Sequence, residues 1–241
     1  MILITGCGKG IGREALSFYL HNSKETVFGV YRSTIDNDEE LARYHSRMHL
    51  IKGDVRDEHL FENIFQRCYD SCSKYPDKFL VNAGMRLRSK VEDTPQKDIN
   101  DIWNINYFAL RNLIKTNIKF KNVDNVALVY ISSIVSSMGF ENLDDYGATK
   151  AASESLIRSI AVRFPQSRFN CISPGFTKTS YATNFKEKNK ELYDWTISRT
   201  PMRRWGESLE IVNLIKFLLG NESSFITGQN FNVDGGWSIN A

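Results

Sequence analysis

Apolar positions in this chain fall into short, dense runs separated by amphipathic stretches. Met1-Ile-Leu-Ile-Thr5 is too short for a helix and shows no polar alternation, which predicts a strand buried on both faces. Over Arg13–Leu20 the apolar residues Ala15, Leu16, Phe18, Tyr19 and Leu20 predict a helix. A second strand is expected over Thr26–Tyr31, and further buried strands over Phe79–Val81, Val126–Ile131 and Phe169–Ile172. Long helices are expected over Asn100–Phe120 and Asp145–Phe164, with Pro165 ending the latter. Strand and helix alternate with no linker, repeat or low-complexity segment, so the 241 residues are expected to form one α/β domain.

Two groups of residues on this frame carry chemistry. Tyr146 and Lys150 lie four apart on the last predicted helix, so their side chains share a face. A neighbouring ammonium favours phenolate over phenol and moves the tyrosine toward acid–base work near neutral pH. Tyr146 could then protonate a carbonyl oxygen as hydride arrives at carbon, or take the proton from an alcohol in reverse. Ser133, upstream, would donate a hydrogen bond to that oxygen, where negative charge develops. The second group, Thr5-Gly6-Cys7-Gly8-Lys9-Gly10-Ile11-Gly12, joins the first strand to the first helix. Its glycines let backbone approach a pyrophosphate, and the helix N-terminus supplies N–H groups and a positive dipole end.

With these motifs in order, the chain resembles the short-chain dehydrogenase/reductase family in its single-domain form. The resemblance runs from Met1 to about Trp237 and includes Asp54-Val55, Asn82-Ala83-Gly84, Asn106, Pro174-Gly175 and Val233-Asp234-Gly235-Gly236. It implies a doubly wound Rossmann-type fold, with a parallel sheet of about seven strands and helices on both faces. It also implies a nicotinamide cofactor and a homo-oligomer, dimer or tetramer, built through the two long helices. Position by position, Ser133 is similar to the serine that polarises the substrate oxygen, and Tyr146 to the acid/base. Lys150 is similar to the lysine that lowers the tyrosine pKa and holds the nicotinamide ribose. Asn106 is similar to the asparagine that holds a water in the proton relay, with Asn104 its rival. The cofactor set implied is Gly6, Lys9, Gly10, Ile11, Gly12, Arg32, Ser33, Asp54, Val55, Asn82, Ala83, Gly84, Tyr146, Lys150, Pro174, Gly175, Thr177 and Thr179. Asp54 and Val55 would flank the adenine, and Thr177 and Thr179 would meet the nicotinamide amide and the phosphates. Val81, Ser136 and Thr177 depart from the family's usual residues, and none of the three removes a catalytic group.

Cofactor choice has a physical reading. No carboxylate ends the second strand to grip a ribose 2′-hydroxyl, and Arg32 stands there instead. Arg32 and Lys9 can pair with a 2′-phosphate, so NADP(H) is favoured, with NAD(H) the open alternative. Asp36, Asp38, Glu39 and Glu40 follow closely and would blunt that preference if they folded back.

The net charge of +3 is mild and no basic stripe is present, which argues against nucleic-acid binding. With no long apolar segment and a strand beginning at Met1, a cytoplasmic protein with no membrane partner is expected. The four cysteines lack metal spacing, so no metal is expected. All four histidines precede Ser133, which disfavours a Ser–His hydrolase. A nucleotide-sugar epimerase would need more chain after Gly236.

The substrate is expected to be a small carbonyl compound or alcohol. The stretch 176–205 lies where the family keeps its substrate lid. It carries Lys178, Tyr181, Lys186, Lys188, Lys190, Tyr193, Trp195, Arg199, Arg203 and Arg204 against Glu187, Glu191 and Asp194. Arg86 and Arg88 follow the Asn-Ala-Gly turn. Together these suggest a polar or anionic metabolite, a sugar derivative among the candidates. The alternatives are a 3-oxoacyl-carrier-protein reductase and, in another class, a non-catalytic NADP-binding regulatory protein. The intact Ser133, Tyr146 and Lys150 speak against the last.

Overall fold

Every residue of the first strand, β1 (Ile2–Thr5), is buried, as an apolar run without alternation requires. In the computed structural model, which describes residues 1–35, 41, 43–120, 123–179, 185 and 187–240, the chain continues through α1 (Gly10–Asn22), β2 (Val27–Tyr31), β3 (Met48–Lys52) and α2 (Leu60–Cys72). Next come β4 (Lys78–Val81), α3 (Gln96–Trp103), a π-helical turn (Asn104–Phe108) and α4 (Ala109–Lys119). The second half holds β5 (Ala127–Ile131), α5 (Asp144–Arg163), β6 (Arg168–Pro174) and the two-residue β7 (Thr177–Lys178). It ends with α6 (Lys190–Arg199), β8 (Gly206–Glu207), α7 (Ser208–Leu219) and β9 (Asn230–Val233).

Seven strands form one parallel sheet in the order β3-β2-β1-β4-β5-β6-β9. The pleat of β1 sends its side chains to two cores. Ile2 and Ile4 pack with Leu16 and Leu20 of α1 and Ile211 and Ile215 of α7, while Leu3 joins Phe65 of α2, Leu110 of α4 and Ile157 of α5. Strand order reverses between β1 and β4, which opens a crevice beyond their carboxyl ends. Thr5 lies opposite Val81 there, so the glycine turn and Asn82-Ala83-Gly84 leave the sheet side by side.

The expected fold class and sheet size hold. Two strands escape the apolar-run criterion: β3 and β9 are the sheet's edges, and their side chains are mostly half-buried and partly polar. The predicted Asn100–Phe120 helix starts earlier, at Gln96 after Pro95, and is broken into α and π segments. The parallel pairing of β7 with β8 ties together the two ends of the 176–205 stretch. Among the described residues, no helix is long and apolar enough to cross a membrane.

Candidate active site

The glycine turn is locked to β4 by one asparagine. Asn82 donates from Nδ2 to the carbonyls of Gly6 (3.0 Å) and Thr5 (3.3 Å), and the Thr5 hydroxyl accepts the backbone N–H groups of Asn82 and Ala83 at 3.1 Å. Gly12 cannot carry a side chain here, since its Cβ would lie 2.3 Å from the Gly6 oxygen and 2.5 Å from Asn82 Nδ2. The start of α1 therefore sits directly on the turn. Lys9 at the N-cap makes no side-chain hydrogen bond, which leaves the first N–H groups of α1 without a side-chain cap. Across the crevice, the Thr179 methyl is 3.4 Å from the point where a Gly10 side chain would begin. An uncapped helix start, a backbone surface without side chains and a facing threonine suit a dinucleotide pyrophosphate.

The adenosine side of the crevice is more charged than the motifs suggest. Arg32 and Ser33 are exposed just beyond β2, and Val55 is buried. Asp54 is held by Arg56, whose Nη2 lies 2.6 Å from its carboxylate and whose Nη1 reaches Asp101 at 2.7 Å. The Arg56 hydrogen bond does most to hold the Asp54 carboxyl below its ordinary range, and the Arg32 cation adds to it. Asp36, Asp38, Glu39 and Glu40 lie outside the described residues.

The Ser133, Tyr146 and Lys150 set converges at the ends of β5 and α5. Lys150 is buried, donates to the Ile131 carbonyl at 2.7 Å, and lies 4.7 Å from the Tyr130 ring centre and 5.8 Å from that of Tyr146. Burial holds its ammonium down to about 7. Burial also raises the Tyr146 phenol, against a hydrogen bond with Ser133 and the cation of Arg86, which both favour the phenolate. The groups that oppose burial at the phenol are Ser133 and Arg86, and the net direction is upward. Ser133 leaves β5 in extended geometry and also accepts the Val135 N–H at 3.3 Å.

Asn106 is wholly buried in the π turn. Its side chain accepts the Met85 N–H and donates to the Met85 carbonyl, both at 2.9 Å, and donates to Thr149 at 3.0 Å. Its own carbonyl accepts hydroxyl hydrogen bonds from Tyr130 and Ser153 at 3.0 Å. Asn106 thus joins the loop after Gly84 to the helix of Tyr146 and Lys150. Asn104, its rival, is exposed.

Pro174 and Gly175 close the site at the end of β6. A Gly175 Cβ would meet Asp234 at 2.7 Å, so the Val233–Gly236 motif packs directly on this turn. The Asp234 carboxylate accepts the Gly236 and Ser238 N–H groups at 2.9 Å, and the Gly235 carbonyl accepts the Met202 N–H.

Ser133, Tyr146, Pro174, Gly175, Thr177, Thr179 and Ile11 line a single cleft with a volume of about 260 Å³. Its outer wall is aromatic, from Phe140, Phe176, Phe185, Trp195 and Trp205, and Arg86 and Arg88 form its charged rim. Five of the basic residues expected on the lid are engaged elsewhere. Lys178 pairs with Glu207 at 2.6 Å, Lys190 with Asp194 at 2.5 Å and Arg204 with Glu210 at 2.7 Å. Arg199 lies over the Trp237 ring at 5.3 Å, and Arg203 donates to the Ser198 carbonyl. Tyr181 and Lys186 lie outside the described residues.

Sequence reasoning missed several supports. Gly8 allows the Thr34 carbonyl to pass 2.4 Å from its Cβ position, which brings the segment after β2 against the turn; its place in the glycine run was the available signal. Glu154, buried four residues after Lys150, accepts from Ser132 at 2.5 Å and Ser173 at 3.3 Å, so it ties the ends of β5 and β6 together. Only its i+4 spacing from Lys150 hinted at this.

The family model described as enoyl-(acyl carrier protein) reductase matches residues 6–238. A tropinone reductase homolog of Arabidopsis thaliana is 29% identical over 251 residues, covering 99% of this chain and 92% of its own. Among solved structures, ElxO with NADP bound superposes with a TM-score of 0.88 at 28% identity, covering 98% of this chain and 97% of its own. A 4-hydroxyisoleucine dehydrogenase complexed with NADH gives a TM-score of 0.85 at 26% identity, covering 100% of this chain and 99% of its own. With the glycine crevice and the Ser–Tyr–Lys cluster at the carboxyl end of one sheet, these matches place the chain in the short-chain dehydrogenase/reductase family, whose members are oxidoreductases acting on CH–OH or carbonyl groups.

Proposed function

We propose that this chain is an NADP(H)-dependent oxidoreductase acting on a carbonyl or secondary alcohol of a polar or anionic metabolite, with Tyr146 as acid/base. The observation that carries this reading is the convergence of Ser133 and Tyr146, with Lys150 buried beside Tyr146, in a cleft also lined by Arg86 and Arg88. The bound nicotinamide supplies or accepts the hydride. Gly6, Gly10, Ile11, Gly12 and the start of α1 hold its pyrophosphate, and Asn82, Ala83 and Gly84 close the crevice beneath it. Arg32 and Lys9, both exposed beside the crevice, hold the 2′-phosphate. Asp54 and Val55 border the adenine, and Ser33 the ribose phosphate.

In the reduction direction Ser133 donates a hydrogen bond to the substrate oxygen, and Tyr146 delivers the proton from its phenol. The raised phenol pKa keeps Tyr146 protonated for this step at neutral pH. Lys150 would hold the nicotinamide ribose from its buried position beside Tyr146, with Asn106 fixing the local geometry. Pro174, Gly175, Thr177 and Thr179 meet the nicotinamide end. Residues 176–205 form the lid, and the chain works as one domain within a homo-oligomer.

The test is NADPH oxidation followed by absorbance, with keto acids, keto sugars and a 3-oxoacyl thioester as substrates and Tyr146→Phe as control. Turnover of an anionic ketone that falls about 10²- to 10⁴-fold in the variant, with NADPH binding retained, is the expected result. Preferred turnover of the thioester would assign a 3-oxoacyl reductase instead. NADPH binding without turnover on any carbonyl would favour the regulatory alternative.

A further inference from the structure

We propose that the substrate is a ketone, or the matching secondary alcohol, carried on an aromatic or alicyclic ring and bearing one anionic group, with the ring against the aromatic wall and the anion at Arg88. This deepens the functional reading above and rests on its placement of the reacting carbon beside Tyr146.

The wall is a built surface. Trp205 is 2% exposed, and its Nε1 donates to Thr196 Oγ1 at 2.7 Å, which satisfies the indole and fixes its plane. Phe176 lies 5.4 Å from Trp205 and 4.8 Å from Trp237, and Phe185 lies 5.5 Å from Trp205. Trp195 packs edge-on against Trp237 at 5.4 Å yet remains 49% exposed and lines the cleft. A large indole left half in water and braced from behind offers its surface to a flat or cyclic apolar body.

The polar inventory narrows the choice. Among the described lining residues the charged side chains are Arg86 and Arg88, and there is no Asp, Glu, Asn or Gln. The lining hydroxyls of Ser132, Thr177 and Thr196 already donate to Glu154, the Gly175 carbonyl and the Tyr193 carbonyl, so a polyol in this cleft would bury hydroxyls with few free donors to meet them, each at a cost in free energy. A ring with one anion leaves no such deficit. The Ser89 N–H donates to the Asn142 carbonyl at 3.0 Å and so ties the backbone of the arginine loop to the segment bearing Phe140 and Leu143. The guanidinium and the wall border one cleft of about 260 Å³, which the nicotinamide end would share with the substrate through Pro174, Gly175, Thr177 and Thr179.

The probes are 4-oxo-4-phenylbutanoate, its methyl ester, 4-oxopentanoate and 5-keto-D-gluconate. Their affinities are measured by calorimetry on the protein saturated with oxidised cofactor, so the readout does not depend on turnover. The phenyl acid is expected to bind about tenfold more tightly than the ester and than the methyl ketone acid. Arg88→Ala should erase the acid–ester difference while Arg88→Lys keeps part of it, and Trp195→Ala should erase the phenyl–methyl difference. Equal affinity for all four probes, tighter binding of 5-keto-D-gluconate, or no binding of the phenyl acid would overturn the proposal. A parallel NADPH assay separates the two levels. A phenyl acid that binds as expected but is never reduced upholds the ligand class and counts against the oxidoreductase reading. Reduction of 5-keto-D-gluconate without binding of the phenyl acid does the reverse.

Discussion

At Tyr146 burial and charge pull in opposite directions. Burial favours the neutral phenol, and Ser133 and Arg86 favour the phenolate. Removing the Arg86 cation should therefore raise the tyrosine further. In Arg86→Ala the rise of alcohol oxidation with pH is expected to shift to higher pH, read from kcat/KM profiles of the variant and wild type; an unmoved limb would deny Arg86 this influence. At the other end of the crevice, Arg32→Ala should lower kcat/KM for NADPH about tenfold or more and leave NADH little changed, because only the 2′-phosphate loses a charged partner. Gly12, Asn82, Ser133 and Lys150 were legible from the chain by type and spacing as candidates, and the fold brings the first two to one turn and the last two beside the end of β5. Arg86 acting on Tyr146 was not, because the two are brought together only by the loop after β4.

The π turn is the element on which the candidate site leans most. Asn106 makes five hydrogen bonds there, to Met85 twice, to Thr149, and through its carbonyl to Tyr130 and Ser153. Asn106→Ala would strip the side-chain share of these and leave buried polar groups on Met85 and Thr149 without it. A loss of about 2–4 kcal/mol of stability is expected, from the cost of about 1–3 kcal/mol per buried unsatisfied group, and urea unfolding would measure it. Values near zero would mean that water replaces the amide. Apolar periodicity revealed that a helix spans this region but not its irregular turn, since the pattern of buried positions continues through it. The edge strands β3 and β9 were equally hidden, because half-exposed strands mix polar and apolar residues.

For the molecule as a whole, buried titratable groups set a pH dependence of folding. Lys150 holds its proton only up to about 7 in the fold, against 10.5 ordinarily, so between these values the unfolded chain binds a proton that the folded chain does not. Stability from this residue therefore rises with pH through that window. Above about 9 the buried thiols of Cys7 and Cys68, pushed up to about 12, work the other way, since the unfolded chain then loses protons that the fold keeps. The clean window is pH 7 to 8.5, where the urea midpoint of the cofactor-free protein should climb and Lys150→Met should flatten the climb. The aromatic wall is also a property of the whole molecule. Its members come from segments separated by many residues, and the sequence showed the lid's charges without showing their partners, Glu207 and Glu210 beyond the lid and Asp194 within it. The π turn at Asn104–Phe108 has a consequence at this scale too. The turn carries one residue more than the α-helical repeat and absorbs it locally as a bulge. In a regular helix an added residue would rotate everything after it by about 100°. The bulge therefore gives the site one residue of slack that the core does not feel: Asn106 sits in it, and Leu110, Leu113 and Ile114 of α4 stay on the buried face beyond it.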